Sequence, residues 1–549
     1  MDSLYSLLFL ALAGGAAWYA WQRSQRHKNH VLENLSGPPS HSFLKGSLGE
    51  MYHRHAMPFQ KDVALNYGSV VKLRGLFNRP IVFISDPAAL HTMIIKEEHI
   101  FEESRSFILG NMLIFGPGLL ATLGDQHRKQ RKILNPVFSV AHMRDMLPLF
   151  YDVIHRLRDA ISLQVTNGQS EIDVLEWTGR VALELIGQSG LGYSFDSTAV
   201  SYSSRPLSIR VRKLNPEHRP TLVNIDLLQR LLPYVYGIGP AWLRRLAVDA
   251  SPNADVQKVK SVVDRMSKRS VEIYEAKKGA LEKGDDQVVQ QIGEGKDIMS
   301  VLMKANKAAS VEDCLTDEEL IAQMWTLIFA ATDTTSNALV RMLQFLADRQ
   351  DWQDKLRQEI LEAGAGTGIP YDEINKLPVL DAVCRETLRL FPSNTTVMRV
   401  PNKDTVLPLS EAIRGLDGKM IHEIPVAKGT EVLVGMWACN VNVSIWGEDS
   451  LEWKPERWLS GLPNSVKNAA VPGVYSNLMT FLGGKRACIG FKFSEMEMKV
   501  VLSVLLSSFI FKPTGAPIVW NLGGVNYPTV GRESNTPRLP LKVEVYTGS

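Results

Sequence analysis

The chain has 549 residues, with 61 Lys and Arg against 58 Asp and Glu, and it is 45% hydrophobic and 22% charged. The net charge of +3 is too small a basic surplus for a protein whose main partner is nucleic acid. The four cysteines, Cys314, Cys384, Cys439 and Cys488, are too few and too scattered for a disulfide framework or a zinc site.

The first predicted element is a membrane anchor. Residues 4–21, LYSLLFLALAGGAAWYAW, carry no charge, and as a helix they would span about 27 Å, close to the ~30 Å hydrocarbon core of a bilayer. A basic cluster follows at residues 23–28, which would keep the body of the protein on the cytosolic side. The alternative is a cleaved signal peptide, but such peptides usually begin with basic residues, which are missing here. Residues 1–28 are therefore predicted to be an anchor with a basic flank.

A proline-rich hinge is predicted over residues 29–45, because the two prolines of LSGPPS stop a helix and stiffen the chain. The body would then occupy residues 46–549. It begins with two β-rich runs around a turn, at residues 68–87, and helical patterning dominates from there to about residue 395. The sequence thus predicts a mainly α fold with a small β-rich subdomain.

Two later segments have clear patterns. Residues 321–346, IAQMWTLIFAATDTTSNALVRMLQFL, are long, apolar and free of Pro and Gly, which predicts a buried central helix. Residues 430–441, TEVLVGMWACNV, are rich in β-branched residues and are predicted to form a strand.

The loop FLGGKRACIG, at residues 481–490, places a cysteine between glycines and behind a Lys-Arg pair. The glycines permit a tight turn, and the run that follows is helical in pattern, so Cys488 would lie near a helix N-terminus. The helix dipole and the two cations would favour a thiolate, which is the form that binds metal. A lone cysteine is more often a small buried hydrophobe, but this setting favours a ligand.

The loop resembles the haem-binding signature of the cytochrome P450 family, F-x-x-G-x-R-x-C-x-G. Its fixed positions are filled by Phe481, Gly484, Arg486, Cys488 and Gly490. Two further motifs precede it in family order: ETLR at residues 386–389 matches E-x-x-R, and PERW at residues 455–458 supplies Arg457. In the family these residues form a buried Glu–Arg–Arg cluster, in which a carboxylate is stable only with its partners present. E-x-x-R alone is often a solvated helix pair.

The resemblance implies two catalytic residues in the central helix. AATDTT, at residues 330–335, aligns with the family's A-G-x-D-T-T. Thr334 would hold a water by its hydroxyl, and Asp333 would link that site to bulk protons. The alternative is a helix with a few polar residues on an internal face, whose Thr bonds the carbonyl one turn back. Ala331 stands where the family mostly has Gly, and its methyl is expected to narrow the groove.

The resemblance also implies haem b, held by the Cys488 thiolate, with cofactor-binding residues for the two haem carboxylates. GDQHRKQRK, at residues 124–132, is similar to the family's W-x-x-x-R helix, with His127 in the Trp position and Arg131 on the Arg. An imidazole N–H can replace an indole N–H as donor, and it would add pH sensitivity. Otherwise His127 is a surface histidine in a basic helix. Arg399 and Arg486 are the other two candidates.

As a whole, the resemblance implies a cytochrome P450 fold behind a single transmembrane helix, with residues 46–549 as the haem-binding catalytic domain. The expected activity is that of a fungal-like, microsomal haem-thiolate monooxygenase of the endoplasmic reticulum membrane, facing the cytosol. Electrons would come from NADPH through NADPH–cytochrome P450 reductase, with cytochrome b5 as a further donor. The substrate would be a hydrophobic lipid, terpenoid or aromatic secondary metabolite, contacted around residues 101–115 and 203–236.

Two rival functions stay open at this point. The same scaffold can rearrange peroxides without a reductase, although members that do so usually lose the acid–alcohol pair that Asp333 and Thr334 supply here. A haem-binding membrane protein without enzymatic activity is the second rival. Steady NADPH consumption with a reductase and substrate separates both rivals from the monooxygenase.

Overall fold

Helices form most of the structure. It is a computed structural model that describes residues 30–195, 232–284, 295–475 and 477–548. The longer helices, in chain order, are α1 (Met57–Asn66), α2 (Arg105–Phe115), α3 (Gly124–Leu134), α4 (Val140–Thr166), α5 (Val174–Leu185), α6 (Ala241–Asp249), α7 (Ala254–Lys283), α8 (Ile298–Ala308), α9 (Asp317–Asp348), α10 (Gln350–Glu362), α11 (Pro378–Leu390) and α12 (Phe491–Ser508). Shorter helical segments include Leu48–Met51, Pro87–His91, Tyr371–Ile374, Met436–Asn440, Val443–Trp446, Glu456–Leu459 and Asn464–Asn468.

The predicted central helix is α9. Thr316 caps its N-terminus: the hydroxyl accepts the Glu319 N–H, and the Glu319 carboxylate accepts the Thr316 N–H in return. The helix then runs through a largely buried apolar sequence and packs against α5, α7 and α12. The prediction of a buried helix over residues 321–346 is confirmed.

The strands form four small sheets. They are β1 (Val70–Arg74), β2 (Pro80–Ile84), β3 (Phe101–Glu102), β4 (Glu171–Asp173), β5 (Thr396–Pro401), β6 (Thr405–Arg414), β7 (Met420–Val426), β8 (Glu431–Gly435), β9 (Phe509–Pro513), β10 (Ile518–Asn521), β11 (Tyr527–Val530) and β12 (Pro540–Val545). The largest sheet has the order β1-β2-β8-β5-β3, in which β2 and β8 are parallel and the other pairs are antiparallel. The others are β4-β12-β9, β6-β7 and β10-β11.

The prediction of a strand over residues 430–441 is confirmed for its first half and wrong for its second half. β8 ends at Gly435, and Met436–Asn440 form a short helix instead. All five of these residues are buried, and the Trp437 indole donates to the Leu390 carbonyl at 3.0 Å. Packing against the end of α11 therefore overrides the β propensity of the sequence.

The segment predicted to be a hinge is docked on the body. Leu32 and Leu35 are buried, and the Ser36 carbonyl accepts the Lys72 N–H at 2.8 Å. Glu33 also pairs with Arg74 at 2.7 Å. The predicted anchor, residues 1–28, lies outside the described residues. Within the described part of the chain, no helix combines the length and apolarity that crossing a bilayer requires.

Candidate functional site

The Cys488 loop runs directly against neighbouring backbone. A Cβ on Gly483 would lie 1.6 Å from the Pro472 carbonyl oxygen, and one on Gly484 would lie 2.0 Å from the Ile94 carbonyl oxygen. Gly484 also has a φ of +62°, a conformation that other residues rarely adopt. Glycine is thus required at both positions for the loop to reach Cys488 with this shape.

Cys488 lies three residues before α12 begins, and its side chain is exposed. Burial of the loop raises the pKa of its thiol, while the Gly490 N–H and the positive charge of Arg131 act in the opposite direction. Arg131 is fixed there because its Nη1 donates to the Ala487 carbonyl at 2.7 Å. Burial also raises the pKa of Cys384 and of Cys439, in both cases to about 12, and unlike Cys488 these two side chains are closed to solvent. Cys488 therefore has the donor and the cation that stabilise a thiolate.

The predicted Glu–Arg–Arg cluster is present and buried. Both Glu386 oxygens accept from Arg389, at 2.8 and 2.9 Å, and one also accepts from Arg457 Nε at 3.2 Å. The Trp458 indole and the Lys454 backbone N–H each add a hydrogen bond of 3.0 Å. Glu386 and Arg389 are fully buried, so this single carboxylate is held by two guanidiniums and two further donors.

The remaining donors of the two arginines bind backbone carbonyls behind the cysteine loop, and Arg457 Nη1 also pairs with the Asp449 carboxylate at 2.7 Å. Arg389 donates to the Asn440 and Ser450 carbonyls, and Arg457 donates to the Asp449 carbonyl at 2.5 Å. The cluster therefore ties α11 to the segments on either side of residue 450. A buried ion cluster satisfied in this way holds one arrangement of the chain firmly.

Thr334 and Asp333 lie at the middle of α9. The Thr334 hydroxyl donates to the Ala330 carbonyl one turn back at 2.6 Å, and the Thr334 carbonyl accepts from Ser393 Oγ at 3.1 Å. The Asp333 carbonyl accepts from the Asn337 side chain at 2.6 Å. Because the Thr334 hydroxyl uses its proton in this bond to the carbonyl of Ala330, its oxygen can still accept a hydrogen bond from a water or a ligand.

A short stretch of α9 is open although the helix around it is buried. Phe329 is 42% exposed and Ala330 is exposed as well. The Phe329 ring lies 4.9 Å from the ring of Phe115, at the end of α2. Thr335 Oγ1 lies 3.0 Å from Ser494 Oγ, which joins this part of α9 to the first turn of α12. The open stretch of α9 and the cysteine loop thus belong to one region. The segment 101–115, which was predicted to contact substrate, meets the open stretch through Phe115.

Ala331 stands beside this opening. It is partly buried and packs against the hydrophobic core. The second predicted contact segment, residues 203–236, lies mostly outside the described residues.

The four residues predicted to hold the haem carboxylates lie close together. Positive charge from Arg486 and Arg131 acts on His127, and Arg399 acts on Arg486. Arg486 Nη2 donates to the Thr122 carbonyl at 2.7 Å, and Arg399 Nη1 pairs with Glu103 at 2.8 Å. Three guanidiniums and one imidazole are thus gathered with two nearby carboxylates, Glu102 and Glu103, which leaves a local excess of positive charge.

His127 is buried rather than on the surface. Burial, which acts most strongly, and the positive charges of Arg486, Arg131 and Lys485 together lower its pKa to about 3. The ring is therefore neutral at physiological pH, with one N–H to donate. The expectation of pH sensitivity near neutrality finds no support in this environment.

These features fit an iron porphyrin. An accessible cysteine with an N–H donor and a cation beside it would supply one ligand to the iron. The cation cluster of His127, Arg131, Arg399 and Arg486 supplies donors for two carboxylates. The open stretch of α9 carries two small residues, Ala330 and Ala331, beside Phe329.

Several contacts of this site were not predicted. Glu103 pairs with Arg399, Trp458 donates to Glu386, and Ser393 donates to the Thr334 carbonyl. Each joins segments far apart in the chain, so no local spacing indicates it. Of the residues in these contacts, only Trp458 has a local signal, because it adjoins Arg457 in the PERW motif.

Comparisons with known proteins agree with this geometry. The Cytochrome P450 family model matches residues 36–522. The chain is 56% identical over 548 residues to Cytochrome P450 monooxygenase 219 of Postia placenta, covering 100% of both chains. It is 58% identical over 544 residues to monooxygenase 212 of the same fungus, covering 99% of both, and 45% identical over 547 residues to a ganoderic acid synthetase of Ganoderma lucidum, covering 98% of both.

Proposed function

Because the chain belongs to the cytochrome P450 family, we propose that it inserts one oxygen atom of O2 into a hydrophobic small molecule, using electrons from NADPH. The chain is a haem-thiolate monooxygenase, an oxidoreductase that binds haem b through a cysteine thiolate. The setting of Cys488, with the Gly490 N–H and Arg131 beside its sulfur, is the observation that carries the proposal.

Each part of the site then has a role. Cys488 is the axial ligand, and His127, Arg131, Arg399 and Arg486 bind the haem carboxylates. When bound, the haem supplies the iron at which O2 is reduced and its bond is cleaved. The Glu386 cluster holds the backbone behind the cysteine loop, and Phe115 and Phe329 form an apolar wall for substrate.

Proton delivery falls to Thr334 and Asp333. The Thr334 hydroxyl, fixed by its bond to the Ala330 carbonyl, accepts a hydrogen bond from a water and holds that water in the open stretch of α9. Asp333 exchanges protons with solvent and passes them toward this water. The groove between α9 and its neighbours excludes most other water because the rest of the helix is buried.

The electron donor we propose is NADPH–cytochrome P450 reductase, with cytochrome b5 as a second donor. Four lysines lie on α3, in the cysteine loop and in the first turn of α12, at positions 129, 132, 485 and 492. Two of them are partly committed, Lys132 to Asp313 and Lys485 to Glu98, although both stay more than half exposed. A basic surface of this kind attracts an acidic partner.

The substrate we propose is a lipid, a terpenoid or an aromatic secondary metabolite. The name of the Ganoderma lucidum relative says that it makes ganoderic acid, which supports a secondary-metabolite substrate here. The apolar segment at residues 4–21 supports single-pass anchoring in the endoplasmic reticulum membrane, with the catalytic domain in the cytosol. Apolar substrates would then enter from the lipid.

The test is reconstitution with the reductase, NADPH and a panel of apolar compounds selected by the spin-state shift of the haem. We expect NADPH consumption to match a product that is 16 mass units heavier, the mass of one oxygen atom. Turnover of a peroxide substrate with no NADPH would instead establish the rearrangement activity. Haem binding with neither reaction, over the whole panel, would point to a non-enzymatic haem protein.

A further inference from the structure

A second polar site lies beyond the catalytic pair, around Arg341. This residue is two turns after Thr334 on α9, and its guanidinium is sandwiched between aromatic rings, 3.6 Å from the Trp520 centroid and 4.0 Å from that of Phe391. Aromatic faces attract the cation but do not neutralise it. Burial lowers the pKa of Arg341 well below its usual value, and no described carboxylate lies near enough to oppose this effect.

The guanidinium borders a small cavity. Its volume is about 20 Å³, which is room for one or two water-sized species. The wall is formed by Asn337, Ala338, Arg341, Phe391, Ser393, Trp520 and Asn526. The polar members are drawn from α9, from the segment after α11 and from the turn between β10 and β11, so the cavity lies where three elements meet.

Two polar atoms at this cavity lack partners among the described residues. Arg341 Nε is a donor and Asn337 Oδ1 is an acceptor, and both are closed to solvent. Three other side-chain groups of the wall are used: Asn337 Nδ2 donates to the Asp333 carbonyl, Ser393 Oγ to the Thr334 carbonyl, and Asn526 Nδ2 to the Pro392 carbonyl. Buried polar groups are rarely left unpaired, so a ligand is needed that satisfies both.

We propose that this cavity is a subsite for one small anion, a halide or a carboxylate, bound by the guanidinium of Arg341. A single water completes the hydrogen bonds: it accepts from Arg341 Nε and donates one proton to Asn337 Oδ1 and the other to the anion. The anion neutralises a cation that otherwise has none of the charge partners that buried arginines require.

The anion has two sources with the same chemistry. It is either a free ion or the carboxylate of a long amphipathic molecule whose apolar part lies toward the substrate wall. The side chains of Asn337 and Ser393 line the cavity and also hold the carbonyls of Asp333 and Thr334. An anion bound in this cavity therefore contacts side chains that hold the backbone of Asp333 and Thr334. The anion subsite does not depend on the proposed proton delivery by these two residues.

The test is thermal unfolding of the haem-loaded protein in sodium bromide and in sodium gluconate of equal ionic strength, since gluconate is too large for the cavity. We expect bromide to raise the midpoint by a few degrees over gluconate. Arg341→Met should lose this difference, and Arg341→Lys should keep part of it. Arg349→Met is the matched control, because Arg349 ends the same helix in an exposed pair with Asp351 and should leave the difference unchanged.

A second arm separates the sources. A fatty carboxylate is compared with the fatty alcohol of the same length in wild type and Arg341→Met. If the fatty carboxylate stabilises the wild type, the alcohol does not, and Arg341→Met loses the effect, the anion is the carboxylate of an amphipathic molecule. If only bromide stabilises the wild type, the anion is a free ion. Crystals in bromide should show an anomalous peak beside Arg341 in wild type, which holds even if Arg341→Met fails to fold. Equal responses of wild type and variant to every anion, with no such peak, overturn the subsite.

Discussion

The residue that organises the region behind the cysteine loop is Glu386. Its carboxylate accepts four side-chain hydrogen bonds and one backbone bond in a fully buried position. Such a group is indispensable to its partners, because removing it leaves the fully buried Arg389 guanidinium without an opposing charge among the described residues, while Arg457 keeps only its 2.7 Å pair with Asp449.

Glu386→Gln is therefore expected to lower the free energy of unfolding by about 3–5 kcal/mol. Urea unfolding of the haem-loaded protein measures this. Glu373→Gln is the matched control, because Glu373 and Lys376 are 58% and 68% exposed and such a surface pair contributes about 0–1 kcal/mol. Equal effects of the two changes would contradict the role given to Glu386.

Glu497, on α12, is the opposite kind of carboxyl group. It is fully buried, neither oxygen has a hydrogen-bond partner among the described residues, and burial raises its pKa well above the usual value of 4.5. The folded chain therefore keeps this proton at a pH where the unfolded chain has released it. Stability from this group is complete below pH 4.5 and falls as pH rises toward the folded pKa.

Glu497→Gln, a neutral isostere, should accordingly stabilise the protein more at pH 8 than at pH 5. The gain should grow by about 1.4 kcal/mol for each pH unit until the folded pKa is reached. Denaturant unfolding at a series of pH values provides the measurement. Glu495→Gln is the comparison on the same helix and should destabilise the protein, since Glu495 pairs with the buried Lys499 at 2.9 Å. A gain that does not vary with pH would show that Glu497 is ionised in the folded chain.

At the scale of elements, α9 carries two similar threonines with different surroundings. Thr334 donates to the Ala330 carbonyl in the open stretch, whereas Thr332 donates to the Ile328 carbonyl at 2.7 Å and is buried. Both hydroxyls donate to the carbonyl four residues earlier in the helix. Comparing variants of the two threonines therefore separates an effect on helix bending from a role in proton delivery.

Thr334→Ala should divert electrons from product to hydrogen peroxide and lower product per NADPH by about tenfold or more, as expected for loss of a positioned proton donor. Thr332→Ala should leave that ratio near the wild-type value. Product, peroxide and NADPH are quantified in the same reaction. If the two variants uncouple to the same extent, the effect comes from the helix and Thr334 has no special part in proton delivery.

The elements that carry the site could largely be predicted from the sequence. The apolar run of α9, the turn glycines before Cys488 and the E-x-x-R spacing on α11 are local patterns, and local patterns survive folding. The end of β8 could not be predicted, because the buried contacts of Trp437 decide it. The burial of His127 beside Arg131 and Arg486 could not be predicted from the sequence, since a basic helix gives no sign of which face packs inward.

At the scale of the whole molecule, the catalytic body and the predicted anchor should be separable. The described core of the N-terminal region begins with Leu32 and Leu35, which pack on the body downstream of the predicted anchor. A chain lacking residues 1–28 should fold and bind haem but leave the microsomal membrane fraction when salt is raised. Fractionation of expressing cells measures this. Unchanged membrane retention would contradict the anchor.

The account depends most directly on one bond, between the Cys488 sulfur and the haem iron. The decisive measurement is the absorption spectrum of the reduced protein with carbon monoxide, for wild type and Cys488→Ala purified with ample haem. The account predicts a thiolate-type band for wild type and its loss in the variant, while Cys384→Ala keeps it. A variant at Cys488 that retains the thiolate-type band would contradict the assignment and the roles built around it.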